Sequence, residues 1–313
     1  MGGLDIFVII LLVILVTIFV IFLSILIAAK ITYDKIKNDL KLFLVQHTKW
    51  ECTGETDKLP VFGPMTANQY SKGNSAACIR ACENQSYSDG CGRDIILPGP
   101  DFVLLARYSG YDTVGNTMRP FCALFYSSSL KILFVCFSAT IQVSEWEDTL
   151  LYHQVQPKLL NNSTDDMLVH QGFYNIYTGS VGGVSSLRDN ILAGITKYRH
   201  VDDTILISGH SLGATLATLC FMDTCNLFPN TVLYSSGCPR VGNTPFAQFM
   251  QGQPLNYRLF NTEDIIPSLP PPFLFGWEYT QPGSVLQFSR SLDTYSDNHT
   301  ESYIQFLEGA PDN

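Results

Sequence analysis

Three strength-of-sheet signals constrain the chain most. Residues 130–137 (Leu-Lys-Ile-Leu-Phe-Val-Cys-Phe), 204–208 (Thr-Ile-Leu-Ile-Ser) and 231–235 (Thr-Val-Leu-Tyr-Ser) are short, nearly continuous apolar runs. A strand with one wet face alternates apolar and polar residues, so runs apolar on both faces predict strands covered by helices on each side. A weaker fourth run lies at 256–260. Between them, 183–199 carries Leu187, Ile191 and Ile195 at four-residue spacing, and 211–225 reads as a second helix. Strand alternating with helix predicts an α/β fold with a mostly parallel central sheet flanked by helices.

The junction at 207–214, Ile207-Ser208-Gly209-His210-Ser211-Leu212-Gly213-Ala214, ends one such strand and opens the next helix. A bare G-x-S-x-G carries little weight, but placed in a strand–turn–helix it has the form of a nucleophile elbow. The two glycines let strand and helix approach without Cβ clashes. Ser211 would sit at a strained corner with its hydroxyl presented for attack. In this arrangement acid and histidine follow the serine in that order. His47, His153, His170 and His200 precede it, and His210 lies within the elbow. His299 is the one histidine beyond Ser211 and is therefore the candidate base. Asp264, just past the fourth run, is the candidate acid, with Glu263 as an open alternative and Asp223 and Asp293 as weaker ones. The oxyanion of an attacked ester needs preorganised donors. Leu212, after the nucleophile, offers its backbone N–H, and Thr140, after the 130–137 strand, offers an N–H and a hydroxyl.

These motifs resemble the class 3 lipase family, that of the filamentous-fungal triacylglycerol lipases. The resemblance covers about residues 100–310 and rests on five ordered segments. They are Gly209 to Ala214, Val169-His170-Gln171-Gly172-Phe173, Gly237-Cys238-Pro239-Arg240-Val241-Gly242-Asn243, Asn261-Thr262-Glu263-Asp264-Ile265-Ile266-Pro267, and the surroundings of His299. It implies an α/β-hydrolase fold, Asp264 rather than Glu263 as the acid, and an amphipathic lid from Ile141 to about Leu150 that includes Trp146. Where the family has Phe-Arg-Gly-Thr or Phe-Arg-Gly-Ser, this chain has Phe137-Ser138-Ala139-Thr140, which keeps the hydroxyl and changes the loop before it. Residues 237–243 read as a structural turn. The apolar stretch Pro270-Pro271-Pro272-Phe273-Leu274-Phe275-Gly276-Trp277 reads as cleft lining, lipid contact or a covering loop.

The chain has 313 residues and a net charge of −9, which excludes nucleic acid as a partner, since phosphate recognition needs clustered Lys and Arg. Residues 6–29 carry no charge. As a helix they would span about 36 Å, against about 30 Å of hydrocarbon, so they predict an N-terminal transmembrane helix and a single-pass membrane location. The run is too long, and its start too poor in basic residues, for a secretory signal peptide, and Ile6 breaks the myristoylation pattern. Lys30, Lys35, Lys37 and Lys41 argue for a cytoplasmic body, whereas Cys52, Cys78, Cys82 and Cys91 argue for an oxidising compartment, so the side stays open. Sequons begin at Asn84, Asn161, Asn162 and Asn298 and decide nothing.

The expected organisation is an anchor at 1–29, a juxtamembrane helix and Cys-rich segment at 30–99, and an α/β-hydrolase domain at 100–313. The expected function is hydrolysis of lipid carboxylic esters through an acyl-enzyme on Ser211, without cofactor or metal, at a membrane or lipid surface and with no protein partner implied. An acylglycerol is the first expectation for substrate and a phospholipid cut at one acyl ester the second. The rival is a catalytically silent hydrolase fold serving as a membrane-attached binding protein, supported only by the altered Ser138-Ala139 pair.

Overall fold

The computed structural model describes residues 101–112, 117–139, 153–282 and 286–307. Its elements in chain order are β1 (Val103–Asp112), β2 (Thr117–Ser127), β3 (Ile132–Phe137), β4 (Gln154–Val155), β5 (Val169–His170), α1 (Gln171–Thr178), α2 (Leu187–Tyr198), β6 (Thr204–His210), α3 (Leu212–Thr224), β7 (Thr231–Ser236), α4 (Thr244–Gln251), β8 (Asn256–Asn261), β9 (Phe273–Leu274), β10 (Trp277–Glu278), β11 (Leu286–Phe288), α5 (Tyr295–His299) and α6 (Glu301–Leu307).

Seven strands form the main sheet in the order β1-β2-β3-β6-β7-β8-β11. From β3 to β11 every pairing in this sheet is parallel, while β2 runs antiparallel to both of its neighbours, β1 and β3. The doubly apolar runs are the central strands. Leu133, Val135, Ile205, Ile207 and Leu233 pack on one face with α1, α2 and α3. Phe134, Cys136, Leu206 and Tyr234 fill the other. Helix α3 is buried along its whole length, so no solvent-facing stripe interrupts its sequence. Its Thr215, Thr218 and Thr224 hydroxyls are satisfied within the helix by the carbonyls of Leu212, Ala214 and Cys220.

At the far end of α3 the buried Asp223 carboxylate accepts from the Arg188 guanidinium (Nε at 2.6 Å), the Asn161 backbone N–H (2.8 Å) and the Asn161 side-chain amide (2.6 Å). This ties the 159–163 loop and α2 to the central helix. The Asn161 sequon side chain, at an exposed position, is thereby bonded to Asp223, and the Asn298 side chain is buried and bonded to Leu292 N–H. Cys122, Cys136, Cys220 and Cys238 are buried, Cys225 is half-buried, and Cys220, Cys225 and Cys238 are free thiols.

The transmembrane helix expected as part of the fold is corrected. Among the described residues no helix is long and apolar enough to cross a membrane. The longest described helix, α3, has 13 residues and so is about 20 Å long, well short of a bilayer core. The expected anchor at 6–29, with the single-pass location drawn from it, the 30–50 helix, and Cys52, Cys78, Cys82 and Cys91 lie outside the described residues.

Candidate active site

Ser211 is the single residue between β6 and α3, and the turn it makes is tight. Its φ of 56° and ψ of −125° are rare for a side chain with a Cβ, the strained corner expected of an elbow. The glycines around it explain how the corner closes. A Cβ on Gly209 would lie 2.2 Å from the Gly213 carbonyl oxygen, and one on Gly213 would lie 2.6 Å from the Ser138 oxygen. The first turn of α3 therefore rests directly on the backbone leaving β3. Leu212 is the first residue of α3, where a backbone N–H has no intrahelical acceptor and the helix dipole is positive. Ser138, in place of the family's arginine, is buried and bonded back into β2: its N–H donates to the Phe121 carbonyl at 2.9 Å.

Asp264 follows β8 through a turn closed by its own N–H on the Asn261 carbonyl, and is 2% exposed. Its Oδ1 accepts from the Ile266 N–H at 3.0 Å. Its Oδ2 lies 2.8 Å from His299 Nδ1 and accepts the Tyr303 hydroxyl at 2.7 Å. The His299 ring lies 4.6 Å from the ring of His210, the residue immediately before Ser211, so the histidine end of the pair faces the elbow. Gly237 makes room for both rings: a Cβ there would meet His210 Cε1 at 2.8 Å and His299 Cε1 at 3.0 Å. Residues 237–243, expected only as a turn, thus also shape the site. Glu263 is exposed and pairs with Thr262 and Ser289, Asp293 is exposed, and Asp223 belongs to the Arg188 network. Thr140 and the lid stretch with Ile141 and Trp146 lie outside the described residues.

Two residues that carry the site's geometry had no role in the sequence reading. Tyr303 holds the carboxylate that holds His299, and burial together with the negative charge of Asp264 pushes its phenol well above the ordinary range. It therefore stays a neutral donor. Asn261 is fully buried, and its amide donates to the Arg290 and Asn298 carbonyls and to Ser302 Oγ, while its Oδ1 accepts from the N–H groups of Glu263 and Arg290. One side chain thereby fixes the loop before Asp264 to the loop and helix before His299. Its place in the Asn261–Pro267 motif was the available signal. His170, in the Val169–Phe173 motif, is structural: its Nδ1 accepts the Gly172 N–H at 3.1 Å, capping α1, and its ring stacks on Phe173.

A parallel sheet with a strained serine at the end of its central strand and a buried His–Asp pair beside it defines the α/β-hydrolase architecture. Residues 134–274 match the family model described as Lipase (class 3). Over that stretch, just under half of its length, the chain is similar to the class 3 lipase family. Phospholipase A1-II 6 of Oryza sativa subsp. japonica is 32% identical over 163 residues, covering 44% of this chain and 40% of that protein. The secreted mono- and diacylglycerol lipase A of Penicillium cyclopium is 28% identical over 177 residues, 55% of this chain and 54% of that protein. The chain thus spans about half or less of the length of these relatives. Among solved structures, the lipase of Rhizopus microsporus var. chinensis shares the fold at a TM-score of 0.55 and 21% identity, over 81% of this chain and 90% of its own.

Proposed function

We propose that this domain hydrolyses the carboxylic esters of glycerolipids through an acyl-enzyme on Ser211. The observation that carries the reading is the buried His299 Nδ1 to Asp264 Oδ2 pair, 2.8 Å long, whose ring lies against the residue preceding Ser211. His299 takes the hydroxyl proton as Ser211 Oγ attacks the ester carbonyl, and Asp264 holds the ring and steadies the imidazolium. The tetrahedral oxyanion is met by the Leu212 N–H, with Thr140 as the second donor expected from the sequence. Collapse breaks the C–O bond and the alcohol leaves with the proton from His299. Water, deprotonated by the same imidazole, then releases the fatty acid and restores Ser211.

An acylglycerol is the proposed substrate. A phospholipid cut at one acyl ester is the second reading, favoured by the relatives named phospholipase A1. A fluorescent fluorophosphonate on the full chain, beside Ser211→Ala, tests the core of the proposal. Labelling of the parent alone is expected, followed by fatty-acid release from diolein or from phosphatidylcholine vesicles to separate the substrates. Labelling of both proteins would move the nucleophile elsewhere, and a folded parent that stays dark in the presence of lipid would leave the silent-fold reading standing.

A further inference from the structure

Nine residues beyond Asp264, β9 and β10 form a two-residue hairpin in which Leu274 pairs with Trp277 and Phe273 with Glu278. The hairpin is held firmly at its base. The Gln154 amide donates to the Glu278 carbonyl at 2.6 Å, the Thr244 hydroxyl to the Glu278 carboxylate at 2.5 Å, and the Tyr279 N–H to the Pro272 carbonyl at 2.8 Å. Trp277 leans edge-on against His153 at 6.0 Å. Behind it, the Arg240 guanidinium donates to the Ser268 and Pro270 carbonyls. With the base fixed in this way, Phe273 remains 77% and Phe275 86% exposed. They are two of the most exposed large apolar side chains among the described residues, and Ile265, beside Asp264, adds a third at 45%.

The tip is also strained. Phe275 and Gly276 have φ of 49° and 89°, the signs of a type I′ turn, whose first central position suits Asn, Asp or Gly. A bulky aromatic with positive φ is an outlier that packing would have to impose, yet this side chain packs on almost nothing. No Lys or Arg lies between Arg258 and Arg290. The hairpin itself therefore offers an anionic surface no cation; its one charge, Glu278, is tied to Thr244 at the base, and Phe273 to Trp277 carry none.

We propose that the Phe273–Glu278 hairpin is a lipid-contact element, inserting Phe273 and Phe275 into the surface of a neutral or zwitterionic lipid layer and seating the candidate ester site against it. This use of the hairpin rests on the glycerolipid reading. Aromatic side chains on a rigid, uncharged tip are suited to the polar–apolar boundary of such a layer.

The test uses the full chain with vesicles of dioleoylphosphatidylcholine and of its acyl-brominated counterpart. In Phe275→Trp the emission added over the parent should be quenched by the brominated vesicles. Phe275→Asn, which supplies the residue this turn prefers, should melt no lower than the parent and cleave a soluble short-chain p-nitrophenyl ester as fast. Its rate on diolein carried in the vesicles should fall about tenfold or more, the loss expected from one phenylalanine no longer buried. Unquenched added emission, or equal losses on soluble and vesicle substrates, would overturn the proposal. A quenched tip on a protein whose Ser211 takes no fluorophosphonate would sink the hydrolase reading and leave the lipid contact in place.

Discussion

Tyr303 and His299 share one oxygen: the phenol donates at 2.7 Å to the same Asp264 Oδ2 that lies 2.8 Å from His299 Nδ1. Tyr303 touches neither the nucleophile nor the ester under the proposed mechanism, so it acts as a positioning residue. Tyr303→Phe keeps the ring against Phe288 and His210 and removes only the hydroxyl. The expected result is a fall in kcat of about threefold to thirtyfold with KM little changed, and a stability loss of about 1–2 kcal/mol, because the Asn261 N–H also loses its acceptor. A change confined to KM would mean that the hydroxyl shapes binding instead.

Gly213 sits where the first turn of the central helix meets the backbone at the end of β3. In Gly213→Ala the new methyl would lie within 3 Å of the Phe137 and Ser138 carbonyls, which are backbone and cannot rotate aside. Denaturant unfolding should show a loss of about 2–3 kcal/mol. Fluorophosphonate labelling of Ser211 should slow at the same time, because the first turn of α3 must shift.

Arg188 neutralises a carboxylate that is fully buried. Arg188→Met leaves Asp223 with the two Asn161 donors and no cation, and should destabilise the fold by about 3–5 kcal/mol. The double change with Asp223→Leu should recover much of that loss, although the Asn161 donors then lose their acceptor.

Alkaline pH should weaken the fold from about pH 9 upward. Burial pushes the Cys225 and Cys238 thiols from 9.0 to about 11 and Cys220 to about 12, and it pushes the Tyr108 phenol from 10.0 to about 12. The unfolded chain therefore releases these protons first. Their contribution is whole below pH 9 and is lost as the pH climbs through 11 and 12. Thermal midpoints measured from pH 7 to 11 should fall above 9, and Cys238→Ala should lower the curve slightly while making that fall shallower.

The central strands were legible because burial on both faces leaves a local mark. β3, β6 and β7 begin and end within two residues of the apolar runs. β1 and β2 were not read as strands. Their sequences mix Arg107, Ser109, Gly110 and Pro120 with apolar residues, as an antiparallel edge with one half-open face allows. At the site, the elbow is a local pattern and His299 followed from chain order. Tyr303 was silent, because it reaches Asp264 and Asn261 across 39 and 42 residues, and Asn261 stood in a quoted motif whose partners, 29 and more residues away, gave it no readable role.

The thiols of this domain have one further consequence. Cys122 and Cys136 belong to adjacent strands, but Cys122 enters the α3 side of the sheet and Cys136 the opposite side, so the sheet itself separates them. Cys220, Cys225 and Cys238 are kept protonated near neutrality, and the thiolate is the form that exchanges. Any bridge between Cys122 and Cys136 would have to pass through the sheet they share, and the other three thiols exchange slowly at neutral pH.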